Sequence, residues 1–194
     1  MTLFDDVEEK YIETTKGVKL HTILIGSGEP LILLHGFPDF WYGWKKIILG
    51  LKDEYRLIVP DMRGYNLSDK PKGISKYSLQ YLTEDIKKLS EQLNLEKFNL
   101  VGHDWGGVTA WAFAEKFPEV LNKLIILNAP HPKIFEEKLK TDKKQQRASF
   151  YIFKFLKPKG EAFLYENDYE ALKLAVFGMS KKKMRLVKLI KKNT

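Results

Sequence analysis

The segment VGHDWGG at residues 101–107 restricts the fold more than any other part of the sequence. It follows a short apolar run at 98–101 and precedes a helical pattern at 108–116. A strand that turns directly into a helix brings two backbones close together, and glycines allow that approach because they lack a Cβ atom. The segment therefore predicts a tight strand-to-helix connection with Asp104 at its apex.

Strand and helix patterns alternate along the first two thirds of the chain. Residues 10–14 and 18–25 predict an opening hairpin. The later apolar runs are short and continuous, which is typical of strands buried on both faces of a parallel sheet. The predicted strands are 31–34, 57–59, 98–101 and 124–127, and the predicted helices are 44–51, 79–93 and 108–116. This order predicts the α/β class, with a mostly parallel sheet flanked by helices.

The pattern changes after Pro132. Residues 133–194 show only helical patterns and carry a net charge of +10, whereas residues 1–132 carry −2. We therefore predict a sheet domain at 1–132 and a helical segment at 133–194. Lysines on helices usually form a solvated face, and no nucleic-acid motif or aromatic-basic platform accompanies them. Nucleic-acid binding is therefore not expected.

Composition excludes several classes of site. The chain has no cysteine, which excludes disulfides and thiolate chemistry and favours a cytoplasmic location. The acidic start lacks the apolar core of a signal peptide, and the apolar runs are too short to span a bilayer, so no membrane partner is expected. Scattered histidines and the lack of a Gly-x-Gly-x-x-Gly turn predict neither a metal nor a cofactor.

Asp104 is a candidate nucleophile. The pattern Gly-x-Asp-x-Gly has the layout of a nucleophile elbow with aspartate in the central position. The amide groups at the start of the next helix favour a carboxylate there. An ionised carboxylate needs no base, and it attacks an electrophilic carbon to form a covalent ester. The alternative is an aspartate that only caps the helix. The segment by itself does not separate the two, and the motifs that follow favour the nucleophile.

Two more loops follow predicted strands. HGFP at 35–38 comes after the strand at 31–34, and DMRGYNLSDKP at 61–71 comes after the strand at 57–59. His35 is a candidate base, but we favour a buried histidine that shapes its loop through hydrogen bonds. Asp61 and Arg63 are expected to be structural and to form an ion pair that braces the second loop.

Four segments together resemble the epoxide hydrolase branch of the α/β-hydrolase fold: HGFPDFWYGW at 35–44, DMRGYNLSDKP at 61–71, VGHDWGG at 101–107 and LNAPHP at 127–132. The resemblance implies the N-terminal part of an α/β-hydrolase core at 1–132, followed by the beginning of a helical cap at 133–194. Asn66 stands where the family usually has glycine. Asparagine tolerates a positive φ, so we expect this departure to cost little.

The resemblance also implies roles for individual residues. Asp104 would open an epoxide of a small-molecule substrate and become a glycol monoester. The backbone N–H groups of Phe37 and Trp105 would form an oxyanion hole. His35, Pro38 and Trp105 would line the substrate pocket.

Tyr151 is the candidate acid of the cap. It ends the segment QRASFY at 146–151, which resembles a cap motif of the family whose tyrosine donates to the epoxide oxygen. The alternative is one more aromatic side chain in an apolar cluster with Phe150, Phe153 and Phe155.

The histidines predict an incomplete catalytic set. The family uses a late histidine, oriented by an acid, to activate the water that hydrolyses the ester. The sequence offers only His21, His35, His103 and His131, and none lies in the expected place. We therefore expect a C-terminally truncated or partial chain that performs at most the first half-reaction. We also expect its sheet to expose an apolar edge and the chain to be poorly soluble or to pair with another chain.

Two other functions compete with an epoxide hydrolase. A haloalkane dehalogenase uses the same aspartate chemistry, and the Trp105 indole would then bind halide, but Phe37 replaces its usual second halide contact. A remnant without catalysis, acting as a binding protein, would explain the missing histidine. Asp104 excludes a serine esterase.

Overall fold

The computed structural model describes residues 6–150, 152, 160 and 162–177. These residues form a six-stranded sheet with the order β1-β2-β4-β3-β5-β6. The strands are β1 (Glu8–Glu13), β2 (Lys19–Ile25), β3 (Glu29–Leu34), β4 (Tyr55–Pro60), β5 (Phe98–His103) and β6 (Leu121–Leu127). The hairpin β1-β2 and the pair β2-β4 are antiparallel, and the other pairs are parallel. The predicted hairpin and mostly parallel sheet are therefore confirmed.

Helices connect the parallel strands. The helices of the sheet region are α1 (Lys45–Leu51), α2 (Leu79–Gln92) and α3 (Trp105–Lys116). Four short 3-10 helices lie at Thr15–Gly17, Trp41–Trp44, Ile74–Tyr77 and Pro118–Val120. The sequence patterns did not predict these short helices. Helix α3 also begins three residues before the predicted start at 108, directly after Asp104.

The core lies on both faces of the sheet. On one face, Ile32 and Leu100 pack with Ile86 of α2 and Phe113 of α3. On the other face, strand residues pack with Trp44 and Ile48: Leu31, Leu33, Leu57, Val59 and Val101. Successive strand residues point to opposite faces, so a strand that is covered on both sides needs a continuous apolar run. The carboxyl ends of β3, β4 and β5 then lie side by side at one edge of the sheet.

The chain divides into two compact units, residues 1–132 and 133–194. In the second unit, helix α4 (Pro132–Thr141) is followed by α5 (Lys143–Ala148), whose first turn is capped by the Asp142 carboxylate. Helix α6 (Ala162–Phe177) is interrupted by non-helical backbone from Glu166 to Tyr169. Among the helices described, none has the length and apolar character needed to cross a membrane.

Candidate active site

Asp104 occupies the junction between β5 and α3. Its backbone has φ 53° and ψ −118°, a left-handed conformation that L-residues with a side chain rarely adopt. Two backbone hydrogen bonds keep it there: Asp104 N–H donates to Leu127 O at 3.1 Å, and Val108 N–H donates to Asp104 O at 3.0 Å. The sequence prediction of a tight strand-to-helix connection at this position is confirmed.

Glycines make this connection possible. A Cβ atom added to Gly102 would lie 2.4 Å from Gly106 O, and one added to Gly106 would lie 2.3 Å from Leu34 O. A Cβ atom on Gly36 would lie 2.5 Å from the Cβ atom of Asp104 itself. Side chains at these positions would collide with backbone or with the carboxylate, so the glycines hold β3, β5 and α3 in contact.

The Asp104 side chain turns away from the helix that it precedes. It makes no capping hydrogen bond to α3, which argues against a simple N-cap role. Instead, Oδ1 accepts a hydrogen bond of 2.9 Å from Phe37 N–H. Among the described residues, Oδ2 has no hydrogen-bond partner. One oxygen is thus fixed by the β3 loop, and the other is available to a ligand.

The other predicted contact residues belong to the β3 loop, to the start of α3 and to the second unit. Phe37 and Pro38 are half-buried and joined by a cis peptide bond. Trp105 is the first residue of α3, and 46% of its surface is exposed. Tyr151, the predicted cap acid, lies outside the described residues.

His35 is a buried structural residue in this arrangement. Only 1% of it is exposed, and both ring nitrogens are engaged: Nδ1 lies 2.8 Å from Gly36 O, and Nε2 accepts from Met62 N–H at 3.0 Å. An acceptor nitrogen carries no proton, so the ring is neutral. Burial lowers its pKa, and the Gly36 carbonyl only partly opposes that effect. These contacts tie the β3 loop to the β4 loop.

The expected ion pair between Asp61 and Arg63 is wrong. Arg63 instead forms a bidentate pair with Asp85 of α2, and both residues are buried. The Asp61 carboxylate is fully buried and accepts from His21 Nδ1 at 2.7 Å, Trp41 N–H at 2.9 Å and Asn66 Nδ2 at 2.7 Å. Both residues have structural contacts, but they pair with other residues and not with each other.

Tyr65 is a neighbour of the site that the sequence patterns did not single out. Its ring packs edge-on against His35, with 4.8 Å between ring centroids. Burial, followed by the negative charge of Asp104, raises the pKa of the Tyr65 phenol to about 12. The phenol is therefore neutral and close enough to sense the carboxylate. Its only sequence signal was an aromatic residue in the loop after a buried strand. The adjacent Asn66 has φ 40°, which agrees with the expectation that asparagine is tolerated there.

The four histidines have other neighbours. His21 is buried against Asp61, and His35 is bound as described above. His103 packs against Trp44 at 6.4 Å, and His131 packs against Trp111 at 4.8 Å. None of the contacts described places a histidine against Asp104. Within the described residues there is also no group of three or more histidine or acidic side chains arranged to hold a metal ion.

Comparisons with known proteins identify similar sequences and structures. The sequence model of the alpha/beta hydrolase fold family matches residues 29–173. An AB hydrolase superfamily protein of Bacillus subtilis is 46% identical over 176 residues, which cover 89% of this chain and 61% of that protein. Epoxide hydrolase 4 of Mus musculus is 44% identical over 161 residues, covering 81% of this chain and 45% of that protein.

Solved structures give the same result. The Bacillus megaterium epoxide hydrolase in complex with an inhibitor superposes with a TM-score of 0.82 at 40% identity, covering 87% of this chain and 59% of that one. A point mutant of that enzyme, complexed with its naphthyloxy-propanediol product, gives a TM-score of 0.81 at 39% identity over the same shares. The chain thus spans about half the length of the relatives that it matches. The resemblance to epoxide hydrolases predicted from the four sequence segments is confirmed.

Proposed function

We propose that this chain, which belongs to the alpha/beta hydrolase fold family, opens epoxides with the Asp104 carboxylate as nucleophile. The observation that carries the proposal is the state of that side chain. It lies on a strained turn, does not cap α3, and among the described residues is hydrogen-bonded through Oδ1 only. The epoxide hydrolases among its relatives support the choice of substrate class.

The proposed step is a displacement at carbon. Oδ2 attacks one epoxide carbon, the ring C–O bond breaks, and its electron pair goes to the ring oxygen, which takes up a proton. The product is a glycol monoester of Asp104. Phe37 N–H fixes Oδ1, so Oδ2 is aimed without freezing further rotamers during the reaction. The amides at the start of α3 favour the negative charge of the waiting carboxylate.

The surroundings of Asp104 receive roles on the same basis. Phe37 N–H and Trp105 N–H are the proposed oxyanion hole for the later hydrolysis of the ester. Pro38, Trp105 and the buried His35 are the proposed pocket wall. Residues 1–132 are proposed as the α/β-hydrolase core, and 133–194 as the start of a helical cap, from which Tyr151 would donate to the epoxide oxygen. No residue of this chain is proposed as the base that activates water for that hydrolysis.

The test is covalent trapping. The purified chain is incubated with a reactive aryl epoxide, and its intact mass is measured. We expect one ester adduct on Asp104, which mild alkali removes. The Asp104→Asn variant should form no such adduct, because an amide is a far weaker nucleophile than a carboxylate.

A matched control uses Asp39, a half-buried aspartate in the β3 loop that is not part of the proposed machinery. The Asp39→Asn variant should form the ester adduct at the wild-type rate. If the folded wild-type chain gains no alkali-labile mass, or if Asp104→Asn still gains it, the proposed nucleophile is wrong.

A halide substrate is the second candidate. The exposed Trp105 indole at the nucleophile is the observation that favours it. Incubation with a primary chloroalkane separates the two: chloride release with formation of an alkyl ester on Asp104, at a rate above that of the epoxide reaction, would reverse the assignment.

A further inference from the structure

Tyr81 of α2 lies among cationic side chains and is not part of the site described above. The Lys16 ammonium donates a hydrogen bond of 2.9 Å to its phenol oxygen. Lys16 Nζ also lies 5.1 Å from the ring centroid. Arg63 Cζ lies at 5.2 Å and Lys76 Nζ at 5.7 Å from the same centroid. Three cations from three different segments therefore surround one tyrosine ring.

The backbone holds this cluster in place. Lys16 belongs to the 3-10 turn Thr15–Gly17 and has φ 55°, a conformation that fixes the direction in which its side chain leaves the turn. Thr15 N–H donates to Asp85, the residue that also binds Arg63 in a bidentate pair. Asp85 lies on α2, as does Tyr81, so one buried carboxylate positions both the turn and the arginine relative to the helix.

The electrostatic consequence is a phenol that ionises more readily. The Lys16 hydrogen bond and then its charge lower the pKa of Tyr81, with a smaller contribution from Lys76. Glu84, one turn further along α2, acts in the opposite direction, but it is itself paired with Lys116 at 3.3 Å. The pKa of Lys16 is raised in return, first by its hydrogen bond to Tyr81.

We propose that Tyr81 is a second nucleophile of this chain, a modification site at which the phenol oxygen is alkylated by small epoxides. The phenol proton passes to solvent, and the Lys16 ammonium stabilises the phenolate. The phenolate oxygen bonds to an epoxide carbon, the ring C–O bond breaks, and the ring oxygen takes a proton from water. The product is a 2-hydroxyalkyl aryl ether, and the added mass equals that of one epoxide molecule. This site does not depend on the function proposed for Asp104.

Two other tyrosines serve as internal references. Tyr11 on β1 is 55% exposed and lies against His21. Tyr77 is 37% exposed and donates its hydroxyl proton to Pro71 O at 2.9 Å. Among the contacts described, neither phenol oxygen accepts a hydrogen bond from a lysine. Tyr11 is more exposed than the half-buried Tyr81, so exposure alone would favour alkylation of Tyr11.

The experiment is site-resolved alkylation. The Asp104→Asn chain is treated with styrene oxide, digested, and mapped by mass spectrometry over a time course. We expect Tyr81 to gain mass several times faster than Tyr11 or Tyr77. The adduct should survive mild alkali, because an aryl ether is stable where the Asp104 ester is cleaved. The Lys16→Gln variant, which keeps a donor but loses the charge, should slow Tyr81 alone.

The outcomes are distinct. Tyr77→Phe is the matched control and should leave the Tyr81 rate unchanged, whereas Tyr81→Phe should remove the fastest-forming alkali-stable adduct. Equal labelling of Tyr81 and Tyr11, or an unchanged Tyr81 rate in Lys16→Gln, would overturn the proposal. If the wild-type chain forms no alkali-labile adduct, the proposed role of Asp104 is wrong, and the inference about Tyr81 still stands.

Discussion

Two aspartates directly follow parallel strands of the sheet, and they differ in burial and in hydrogen bonding. Asp61 comes directly after β4, is fully buried, and accepts three hydrogen bonds, from a histidine ring, a backbone amide and an asparagine. Asp104 comes directly after β5, is partly exposed, and within the described part of the chain its carboxylate accepts one hydrogen bond, from Phe37 N–H.

The difference lies in what each carboxylate connects. Asp61 joins β2, the start of the Trp41–Trp44 turn and its own loop, so its charge is used entirely for structure. A buried carboxylate is tolerated only with such complete pairing. Asp104 keeps an unpartnered oxygen among the described residues, and its backbone is strained rather than relaxed. The first arrangement stabilises the loops that hold the second one in place.

The largest expected effect on stability comes from a substitution of Asp61, whose two carboxylate oxygens both accept hydrogen bonds. In Asp61→Asn, one carboxylate oxygen becomes an NH₂ group that faces a donor, whichever way the amide is turned. We expect a loss of about 3 kcal/mol or more in the free energy of unfolding, because a buried hydrogen-bonded charge is removed while its donors remain. Urea unfolding followed by circular dichroism measures this loss.

A surface aspartate provides the control for that prediction. Asp53 is exposed at the end of α1, and Asp53→Asn should change the free energy of unfolding by less than about 0.5 kcal/mol. Equal effects of the two substitutions would mean that Asp61 is not the structural centre of the loops.

The next effect concerns Tyr65, which packs against His35 and is affected by the charge of Asp104. A raised pKa means that the folded state holds the phenol proton more tightly than the unfolded state. The resulting stability is complete below pH 10 and is lost as the pH rises from 10 to about 12. Tyr65→Phe should therefore remove about 2 kcal/mol of the alkaline loss of stability. Unfolding titrations of both chains across this range give the difference.

Tyr77→Phe is the appropriate comparison for Tyr65, since its hydroxyl lies at the surface. The alkaline slope of Tyr65→Phe is compared with the slopes of this variant and of the wild-type chain. An identical slope in Tyr65→Phe would show that the phenol does not ionise differently in the folded and unfolded states.

Local patterns predicted the strand-to-helix turn at Asp104 well, because its constraints are local in sequence. Gly102 and Gly106 are needed two positions on either side of a strained residue, and the apolar runs of β3 and β5 identify buried strands. The scaffold around Asp61 was predicted less well. Arg63 was expected to pair with its near neighbour Asp61, whereas its partner Asp85 is 22 positions away on α2.

Such long-range pairing depends on which helix packs over which loop, and hydrophobic periodicity does not specify that. The same reason applies to Tyr65. Its contact with His35 forms only when the loops after β3 and β4 lie side by side. The outermost strand β6 was recognised but began three residues earlier than its apolar run, since its exposed positions alternate with half-buried ones.

Substitution of Asp104 is expected to have the smallest effect on stability and the largest effect on formation of the ester adduct. Asp104→Asn keeps an oxygen that accepts from Phe37 N–H and loses a charge that makes no other hydrogen bond among the described residues. Asparagine also tolerates a positive φ. We expect a change within about 0.5 kcal/mol in the free energy of unfolding, alongside complete loss of the alkali-labile adduct. Because the Asp104 charge contributes to the raised pKa of Tyr65, that pKa should fall in the variant while burial still keeps it above 10. Absorbance titration of the tyrosines measures the shift. A loss of stability as large as that of Asp61→Asn would remove the distinction between the two aspartates and make Asp104 a structural residue.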